Sequence, residues 1–574
     1  MPKSYLNNFI NSNIKLFTIC LITFIYLCLV LKFYEGNRHS IYLHMWPYAL
    51  GLGDFKYDIF VQSSHMLKLS IIFNLFSFFK INLDNDIIGL LVHLISTTLS
   101  AFYTFKIVNE KFEIKNIYSS LIIIFSIVFI SGLFITANKS TWITNHTAST
   151  TYFAHILIPC FIWLLLNNKF FILFLLSSLM LLIAVKAAWF TVAVGAVFSI
   201  YKNKLKNNYW IAGPILVFIY IMSLNLGDIH TEENRILFFD ALILRDEEEI
   251  AFHLQSKLKL FLLIFSFPIS YYLISKTKNK DLKDFLKTVL FLSISCFIFF
   301  YIYALYGKSI YPDARILGLS GTRALGLYEF LFWLSLFSFI YHLNVNYLYK
   351  ILISAFIFYA TTVDAFAIIS ISILITLILV INFLFKDFFK NIIKLNLLFF
   401  LLILPGTLAL TNSHIKNTFD LYGFKKINKW TTGRLLFDKP RLVNAIKLKK
   451  CEDFLILDLK HHNMTSAISR KSNYIGNYAF NYFDKSLIIE SKRRHEIRKE
   501  TSKMLYNKET LTQTIMDEFY NFDLILITDK KHLKQFPDDI IKYDLKNGDY
   551  LLIFLKEANK FKKFENTCLK KINL

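Results

Sequence analysis

Charged residues are scarce in this chain of 574 residues. Asp, Glu, Lys and Arg together make up 18% of it, whereas a typical soluble domain has about 25%. Hydrophobic residues make up 55%, and Phe alone occupies 60 positions. The apolar residues stand in blocks of roughly 17–22, each long enough to cross the hydrocarbon core of a bilayer. Because a soluble core needs no such blocks, the composition excludes a soluble globular protein and predicts a polytopic α-helical membrane protein.

The sequence also lacks the common signatures of nucleotide, nucleic-acid and zinc sites. It has no Gly-rich phosphate loop, no nucleic-acid-binding motif and no Cys-x-x-Cys spacing, so we expect neither a nucleic-acid partner nor a metal–thiolate site. Four of the six cysteines lie in apolar blocks and resemble small hydrophobic residues, while Cys451 and Cys568 lie in the polar C-terminal part. Membrane topology explains much of the net charge of +23, because Lys and Arg collect in cytoplasmic loops.

Hydropathy predicts about thirteen spans before residue 412. No small-residue cleavage site follows the first span, which is therefore expected to be an uncleaved signal anchor. The stretch 67–80 is too short to span and predicts an interfacial helix. Lys186 interrupts one long apolar block and predicts two short helices that meet at a polar boundary. The predicted spans are 14–33, 87–108, 117–136, 149–166, 169–185, 187–201, 209–226, 258–275, 285–306, 325–342, 347–363, 365–385 and 393–411.

The lysines of the short loops predict the orientation. Those at 106–115, 202–206, 276–283 and 386–394 fall on the side of the N-terminus, whereas the acidic loop 227–256 falls on the other side. The positive-inside rule then puts the N-terminus in the cytoplasm, and an odd number of spans puts the C-terminus outside. We expect a multi-pass protein of the bacterial inner (plasma) membrane.

A second domain, residues 412–574, is predicted to follow the multispan transmembrane domain 1–411. Short apolar runs at 454–457, 524–528 and 550–555 predict buried strands. The segment between the first two is helix-like, with a helix start at Thr510. Strand–helix–strand order is typical of a small α/β domain. The sequence thus predicts a polytopic α-helical membrane protein with a C-terminal, extracytoplasmic, soluble α/β domain.

The first outer loop, residues 34–66, contains the most informative group of polar side chains. Asp54 and Asp58 are carboxylates close to the membrane, and Arg38 and His44 precede them. Such carboxylates could act as a general base on an acceptor hydroxyl, or hold a divalent cation against a phosphate or diphosphate. The alternative is a solvated loop whose acids cap helices or turns.

Two later outer loops supply candidate phosphate ligands. Arg245 and His253 belong to the acidic second loop, and Arg315 and Arg323 to the third loop, residues 307–323. A guanidinium makes bidentate contacts to phosphate, and the backbone amides of a Gly-containing loop can form an anion-binding lip. The alternative for both is an ordinary solvated loop at the membrane surface.

Four further positions carry open alternatives. Arg470, Arg493 and Arg494 of the terminal domain could face the membrane and contact anionic lipid or glycan, or could form a solvated helix face. Asp364 is expected at an outer turn between two spans, although a deep position would indicate a functional site.

The overall layout resembles that of C-type glycosyltransferases, multispan enzymes that take sugars from polyprenyl-phosphate donors. The likeness lies in the uncleaved first span, the outer loop with GDFKYD at 53–58, the interfacial helix, the many spans and the outer C-terminal domain. Trp430 and the segments SRK at 469–471 and YIG at 474–476 are similar to the outer domains of poorly characterised bacterial members. The resemblance implies a catalytic base in the first loop, with Asp58 as the first candidate and Asp54 as the second. The loop differs from several such families in lacking an adjacent Asp-Glu or Glu-Asp pair.

The leading hypothesis is therefore a membrane glycosyltransferase. It would move a sugar from a polyprenyl-phosphate donor to a glycan or lipid-linked acceptor on the outer face of the membrane. The alternatives are a surface-polysaccharide polymerase or ligase and a non-catalytic membrane assembly protein. A transporter is disfavoured, because the sequence shows one broken helix pair but neither a second one nor an internal repeat. The expected partners are the bilayer, the lipid-linked sugar and the acceptor.

Overall fold

The computed structural model is mostly helical and contains one small sheet. It describes part of the chain. The described residues are 50, 71–81, 86–116, 119–120, 123–124, 150–203, 208–223, 231–245, 257–343, 350, 448, 454–459, 474, 485–538, 540–545, 549–555, 560, 562 and 564–569.

The described helices before residue 344 follow the predicted apolar blocks. In chain order they are α1 (Ile71–Phe78), α2 (Asp86–Glu110), α3 (Thr150–His155), α4 (Ile158–Leu166), α5 (Phe170–Asn203), α6 (Ala212–Ser223, after a 3₁₀ turn Tyr209–Ile211), α7 (Glu232–Arg245), α8 (Lys257–Lys276), α9 (Lys280–Ile310), α10 (Ala314–Gly318), α11 (Gly321–Ala324) and α12 (Gly326–His342).

Among the described residues, three helical stretches are long and apolar enough to cross a membrane. They are Phe170–Lys202, Lys280–Ile310 and Arg315–His342. The predicted spans at 87–108, 149–166, 209–226 and 258–275 also lie on helices, and the predicted interfacial stretch contains α1. The spans predicted at 14–33, 347–363, 365–385 and 393–411, together with Asp364, lie outside the described residues, as does most of 117–136. The total number of spans therefore stays a prediction.

Helix α5 is bent back on itself near its middle. Ala184 has extended backbone angles, φ −156° and ψ 95°, which interrupt the helix two residues before Lys186. The rings of Phe170, at the start of α5, and Tyr209, just beyond its end, lie 6.3 Å apart, so the two limbs return to the same end of the helical part. With a rise of 1.5 Å per residue, each limb is roughly 20–27 Å long. The predicted pair of short helices that meet near Lys186 is thus observed.

One end of the helical part gathers the lysines of three predicted cytoplasmic loops. Lys202 forms an ion pair with Asp281 at 2.8 Å, which joins the end of α5 to the start of α9. Lys111, just after α2, donates hydrogen bonds to the backbone oxygen of Leu166 and to Asn167 Oδ1 at 3.2 and 3.0 Å. We call this the lysine end. The loops containing the lysines at 106–115, 202–206 and 276–283, which were predicted to lie on one side of the membrane, are therefore neighbours at this end.

Helix α9 connects the lysine end to the opposite end. Asn279 caps its start by accepting a hydrogen bond from the Leu282 backbone N–H at 3.0 Å. Its 31 residues correspond to about 46 Å at 1.5 Å per residue, more than the roughly 30 Å hydrocarbon core. The short helices α10 and α11 follow its far end directly. We call that end the far end.

The C-terminal part contains a mixed four-stranded sheet flanked by helices. Strands β1 and β2 are parallel, β2, β4 and β3 are antiparallel neighbours, and the order is β1-β2-β4-β3. The elements are β1 (Leu455–Asp458), α13 (Lys485–Asn507), α14 (Gln513–Asn521), β2 (Leu524–Asp529), a 3₁₀ helix (Lys530–Gln535), β3 (Ile541–Asp544), β4 (Asp549–Ile553) and a π-helical turn (Glu565–Leu569).

The sheet is buried on both faces because β1, β2 and β4 each contain an uninterrupted apolar run, at 455–457, 524–527 and 551–553. Leu455, Leu457 and Leu526 face a core formed with α13 and α14, and Ile456 and Ile525 face a second core on the other side. All three predicted strands are observed, and β3 is an additional short strand at the edge of the sheet. The predicted helical segment is two helices, because Lys508 adopts the left-handed conformation with φ 61°. The predicted helix start at Thr510 is wrong, because α14 starts after Thr512.

Candidate functional site

Two of the eight sequence-predicted site residues have described side chains. Arg315 lies on α10 and Arg323 on α11, both at the far end. Arg245 is the last residue of α7, and its side chain is not described. Five others lie outside the described residues: Arg38, His44, Asp54, Asp58 and His253. The structure therefore brings the helices of Arg245 and Arg315 together, since α7 packs against α10, and leaves the first loop untested.

Asp313 organises the segment between α9 and α10. Its side chain caps α10 by accepting a hydrogen bond from the Arg315 backbone N–H at 2.8 Å. The Arg315 guanidinium donates to the same carboxylate through Nε at 3.1 and 3.2 Å and through Nη2 at 2.7 Å. Burial alone would raise the pKa of the Asp313 carboxyl, but the hydrogen bonds from Arg315 bring it below its ordinary value. Asp313 is thus a buried carboxylate that fixes the direction of the Arg315 guanidinium.

The chain then turns sharply into the helical part between α10 and α11. Ser320 has a left-handed backbone with φ 54°, and Gly321 lies directly against Phe300 of α9. The Trp189 indole N–H of α5 donates to the Leu319 backbone oxygen at 3.0 Å. Thr322 is fully buried. The third predicted loop is therefore partly inserted beside α5 and α9, and the buried half of it is not a solvated surface loop.

Replacing Gly321 with Ala is expected to destabilise this inserted segment. An added Cβ would lie 2.5 Å from Phe300 Cγ and 2.6 Å from Phe300 Cβ, so the backbone of α9 or α11 must move. Overpacking of this kind typically costs about 1–3 kcal/mol. Thermal unfolding of the purified full chain in detergent should show a lower midpoint for Gly321→Ala. The matched control is Gly318→Ala, whose Cβ would meet its nearest neighbour at 3.8 Å. Equal midpoints for the two variants would contradict the tight packing.

Helix α7 covers this segment and joins it to the terminal domain. Phe238 and Leu242 of α7 form a buried apolar cluster with Leu317 of α10, Ala304 of α9 and Ile488 of α13. Ile488 lies in the first turn of α13, the longest described helix of the sheet domain, and is fully buried. The terminal domain therefore docks on the far end, against the helices that carry Arg245 and Arg315.

Charged and aromatic contacts supplement this apolar junction. Lys308 Nζ lies 2.6 Å from Asp240 Oδ2, which joins α9 to α7. The Arg235 guanidinium lies 5.0 Å from the centre of the Tyr311 ring, within the range of a cation–π interaction. The Tyr303 hydroxyl donates to the Tyr311 backbone oxygen at 2.8 Å. These contacts hold α7 and the segment after α9 in one arrangement.

Three ionisable residues lie inside the helical part near the bend of α5. His155 and Glu329 are buried, with exposed fractions of 2% and 1%, and Lys186 is half-buried. The His155 ring lies against Gly326 at the start of α12. A Cβ added at Gly326 would be only 3.1 Å from His155 Nε2. Each of the three interacts with a neighbouring group. Ionisable residues inside a membrane-spanning bundle are costly and frequently functional. The sequence prediction did not include His155 and Glu329. Their presence as single ionisable residues within predicted spans was the signal that could have identified them.

Arg493 and Arg494 of the terminal domain have a third role that neither sequence alternative describes, whereas Arg470 lies outside the described residues. Arg494 is buried, and it donates to Glu490 at 2.8 Å and to the Tyr474 backbone oxygen at 3.0 Å. Arg493 contacts Glu490 and Glu518, at 2.8 and 2.6 Å. The hydrogen bonds from Arg493, with those from Arg494, lower the pKa of Glu490 below its ordinary value. These arginines form an internal ion-pair network that joins α13 to α14 and Tyr474.

Cys568 of the terminal domain is disulfide-bonded, whereas Cys160 and Cys296 in the helical part are free and buried. The free pair agrees with the prediction that cysteines in apolar blocks act as small hydrophobic residues. The disulfide was missed. Its available signal was the presence of two cysteines in a domain predicted to lie outside the cytoplasm.

Among the described residues, no group of three or more His, Cys, Asp or Glu side chains could hold a metal ion. The carboxylates of the first loop are not among those residues, so the predicted divalent cation stays a prediction. Comparison with known protein families, curated proteins and solved structures gives no match to this chain.

Proposed function

We propose that the protein is a membrane glycosyltransferase of the C type. It would transfer a sugar from a polyprenyl-phosphate donor to a glycan or lipid-linked acceptor at the outer face of the membrane. The observation that supports the proposal most is the docking of the terminal domain, through Ile488, on α7 and α10. This docking provides a water-facing domain directly above a membrane-inserted, arginine-bearing segment. An enzyme that joins a lipid-linked donor to a polar acceptor needs such a junction.

The proposed mechanism divides the work between loops and bundle. The donor's lipid tail stays in the bilayer, and its phosphate is neutralised at the far end by cations from Arg245, His253, Arg315 and Arg323. Arg315 uses Nε and Nη2 on Asp313, so Nη1 is the part of its guanidinium proposed for a phosphate oxygen. Fixing the guanidinium in advance reduces the entropy lost when the donor binds. Asp58 takes the acceptor proton while the acceptor oxygen attacks the anomeric carbon and the polyprenyl phosphate leaves.

We also propose that the far end and the terminal domain lie outside the cytoplasm. The gathering of Lys111, Lys202 and the lysines after α8 at the opposite end supports this orientation through the positive-inside rule. The disulfide of Cys568 supports it independently, because disulfides persist mainly in oxidising compartments. Cys451 is the proposed partner. Cys160 and Cys296 are free, and Cys20 and Cys28 belong to the first predicted span. The chain near residue 451 also lies close to the chain near residue 568, since the rings of Phe454 and Phe564 pack edge-to-face with 5.3 Å between their centres.

The disulfide predicts a definite thiol count. The full chain, isolated with a rapid alkylating agent and then denatured, should label four of its six cysteines before reduction and all six after it. A peptide joining residue 451 to residue 568 should appear only without reduction. Cys568→Ser should lower the stability of the terminal domain by about 2–5 kcal/mol, as for small secreted domains. Six labelled thiols before reduction would contradict the disulfide and remove its support for an outside location.

The function itself is tested by the products that the chain makes. Cells with and without the protein should differ by one sugar residue in a surface glycan or lipid-linked glycan, as measured by mass spectrometry. Proteoliposomes containing the full chain should transfer sugar from extracted polyprenyl-phosphate sugars and not from nucleotide sugars. A change in glycan length with unchanged repeat composition would instead indicate the polymerase or ligase. Unchanged glycans together with no transfer would reject the enzyme proposal.

A further inference from the structure

A cavity of about 120 Å³ lies at the lysine end, on the side of the molecule opposite the proposed active site. A single water needs only about 10–15 Å³, so this space could hold a larger group. The end of α8, the cap of α9, the end of α12 and the turn after α2 form its walls. No step of the proposed glycosyl transfer uses this cavity.

The charges that face the cavity are mostly positive. Lys111, Lys276 and Lys278 line it together with one carboxylate, Glu113. Lys111 donates its described hydrogen bonds to uncharged oxygens, and Lys276 lies 5.3 Å from the centre of the Tyr272 ring. None of the three lysines forms an ion pair with a carboxylate among the described residues. Burial lowers the pKa of Lys111, so a nearby anion would stabilise its charged form.

A buried hydroxyl also lines the cavity without a partner. Ser338 of α12 is 1% exposed, and its Oγ forms no hydrogen bond in the part of the chain that the structure describes. A buried polar group without a partner is destabilising, which indicates a missing acceptor or water. Next to it, His342 Nε2 lies 2.7 Å from the Phe112 backbone oxygen. Because a carbonyl only accepts, Nε2 carries the hydrogen, and this bond fixes the cavity wall.

We propose that this cavity binds a phosphate group, with Lys276 and Lys278 neutralising it and Ser338 donating a hydrogen bond to one of its oxygens. The phosphate source that the position favours is the headgroup of an anionic phospholipid in the cytoplasmic leaflet. Basic pockets between helix ends on that side bind such headgroups, and the same leaflet carries the negative surface potential. The apolar wall formed by Leu273 and Phe339 suits the start of an acyl chain. The start of α9 adds the positive end of a long helix dipole to the same wall.

The test uses native mass spectrometry of the full chain in detergent, titrated with phosphatidylglycerol or, separately, with inorganic phosphate. Wild-type protein should retain phosphatidylglycerol. The double variant Lys276→Ala/Lys278→Ala should bind it about 10- to 30-fold more weakly, from the usual contribution of each lysine near an anionic headgroup. The matched control is Lys280→Ala/Lys287→Ala, which removes equal charge from the same end but not from the cavity wall. It should bind like wild type.

Ser338→Ala separates a binding hydroxyl from a merely buried one. It should weaken phosphatidylglycerol binding, while the thermal midpoint of the lipid-free chain should stay equal or rise, because an unsatisfied buried hydroxyl is lost. Binding of inorganic phosphate with the same sensitivity to the variants, and no preference for the lipid, would assign the site to free phosphate. Equal losses in both lysine pairs, or no binding of either probe, would overturn the proposal.

Discussion

Replacing Asp58 with Asn is expected to reduce sugar transfer by about 10²- to 10⁴-fold, the usual contribution of a general base. The amide keeps the size and much of the hydrogen bonding of the carboxylate but cannot accept the acceptor's proton. Asp54→Asn should have a smaller effect if Asp58 is the base, and the reverse order would move the role to Asp54. The measurement is the initial rate of transfer in proteoliposomes, normalised to the amount of folded protein.

A control variant makes this result specific to the first loop. Asp517 is an exposed carboxylate of the terminal domain that accepts a hydrogen bond from Gln513 at 2.7 Å. Asp517→Asn makes the same chemical change away from the proposed site and should leave the rate unchanged. Full activity of both Asp58→Asn and Asp54→Asn, at normal protein levels, would remove the proposed mechanism. Loss of activity in Asp517→Asn as well would point to a general effect on the protein.

Replacing Arg494 with Ala is expected to lower the stability of the terminal domain by about 3 kcal/mol. Its guanidinium is buried between the Phe522 and Tyr474 rings, with 4.4 and 5.1 Å to the ring centres, and is paired with Glu490. Removing one partner of a buried ion pair typically costs about 3–5 kcal/mol, because the other charge is left behind. The low end is expected here, since Glu490 keeps Arg493 as a partner.

Pulse proteolysis of the full chain in increasing urea would measure this loss through the fragments of the terminal domain. The matched control is Lys492→Ala, which removes an exposed positive charge from the same helix two residues away. Its effect should stay below about 0.5 kcal/mol, as for most surface substitutions. Equal stabilities of Arg494→Ala and the control would contradict the buried ion-pair network.

The hydrophobic blocks predicted the described helices, because a long apolar run favours a buried or membrane-spanning helix. The orientation that the lysines indicate stays a prediction. The bend of α5 was predicted from Lys186, since a charge in the middle of an apolar block needs a break or a polar surface nearby. Strands β1, β2 and β4 were predicted because each contains a short continuous apolar run, as buried strands do, whereas the edge strand β3 has no such run and was not predicted. The break between α13 and α14 at Lys508 was not predicted, because a hydrophobic pattern does not indicate the left-handed conformation of a non-Gly residue.

The candidate site was harder to predict, because it depends on long-range packing. Nothing in the loop 307–323 alone shows that Asp313 fixes Arg315, or that Gly321 lies against Phe300, 21 residues earlier in the chain. The same holds for Ile488, because the sequence of α13 does not show that this side chain packs against α7. The functional assignment of Asp54, Asp58, Arg38, His44, Arg245 and His253 stays a prediction from the sequence.

The most direct test determines the compartment of two points in the chain. One point is the end of the first loop, directly after residue 66, and the other is the C-terminus. Alkaline phosphatase, which needs disulfides and is active only outside the cytoplasm, and a fluorescent protein that matures in the cytoplasm would be fused at each point in turn. We expect active phosphatase and no fluorescence at both points. Fluorescence at either point would separate Asp58 from the terminal domain and contradict the proposed site.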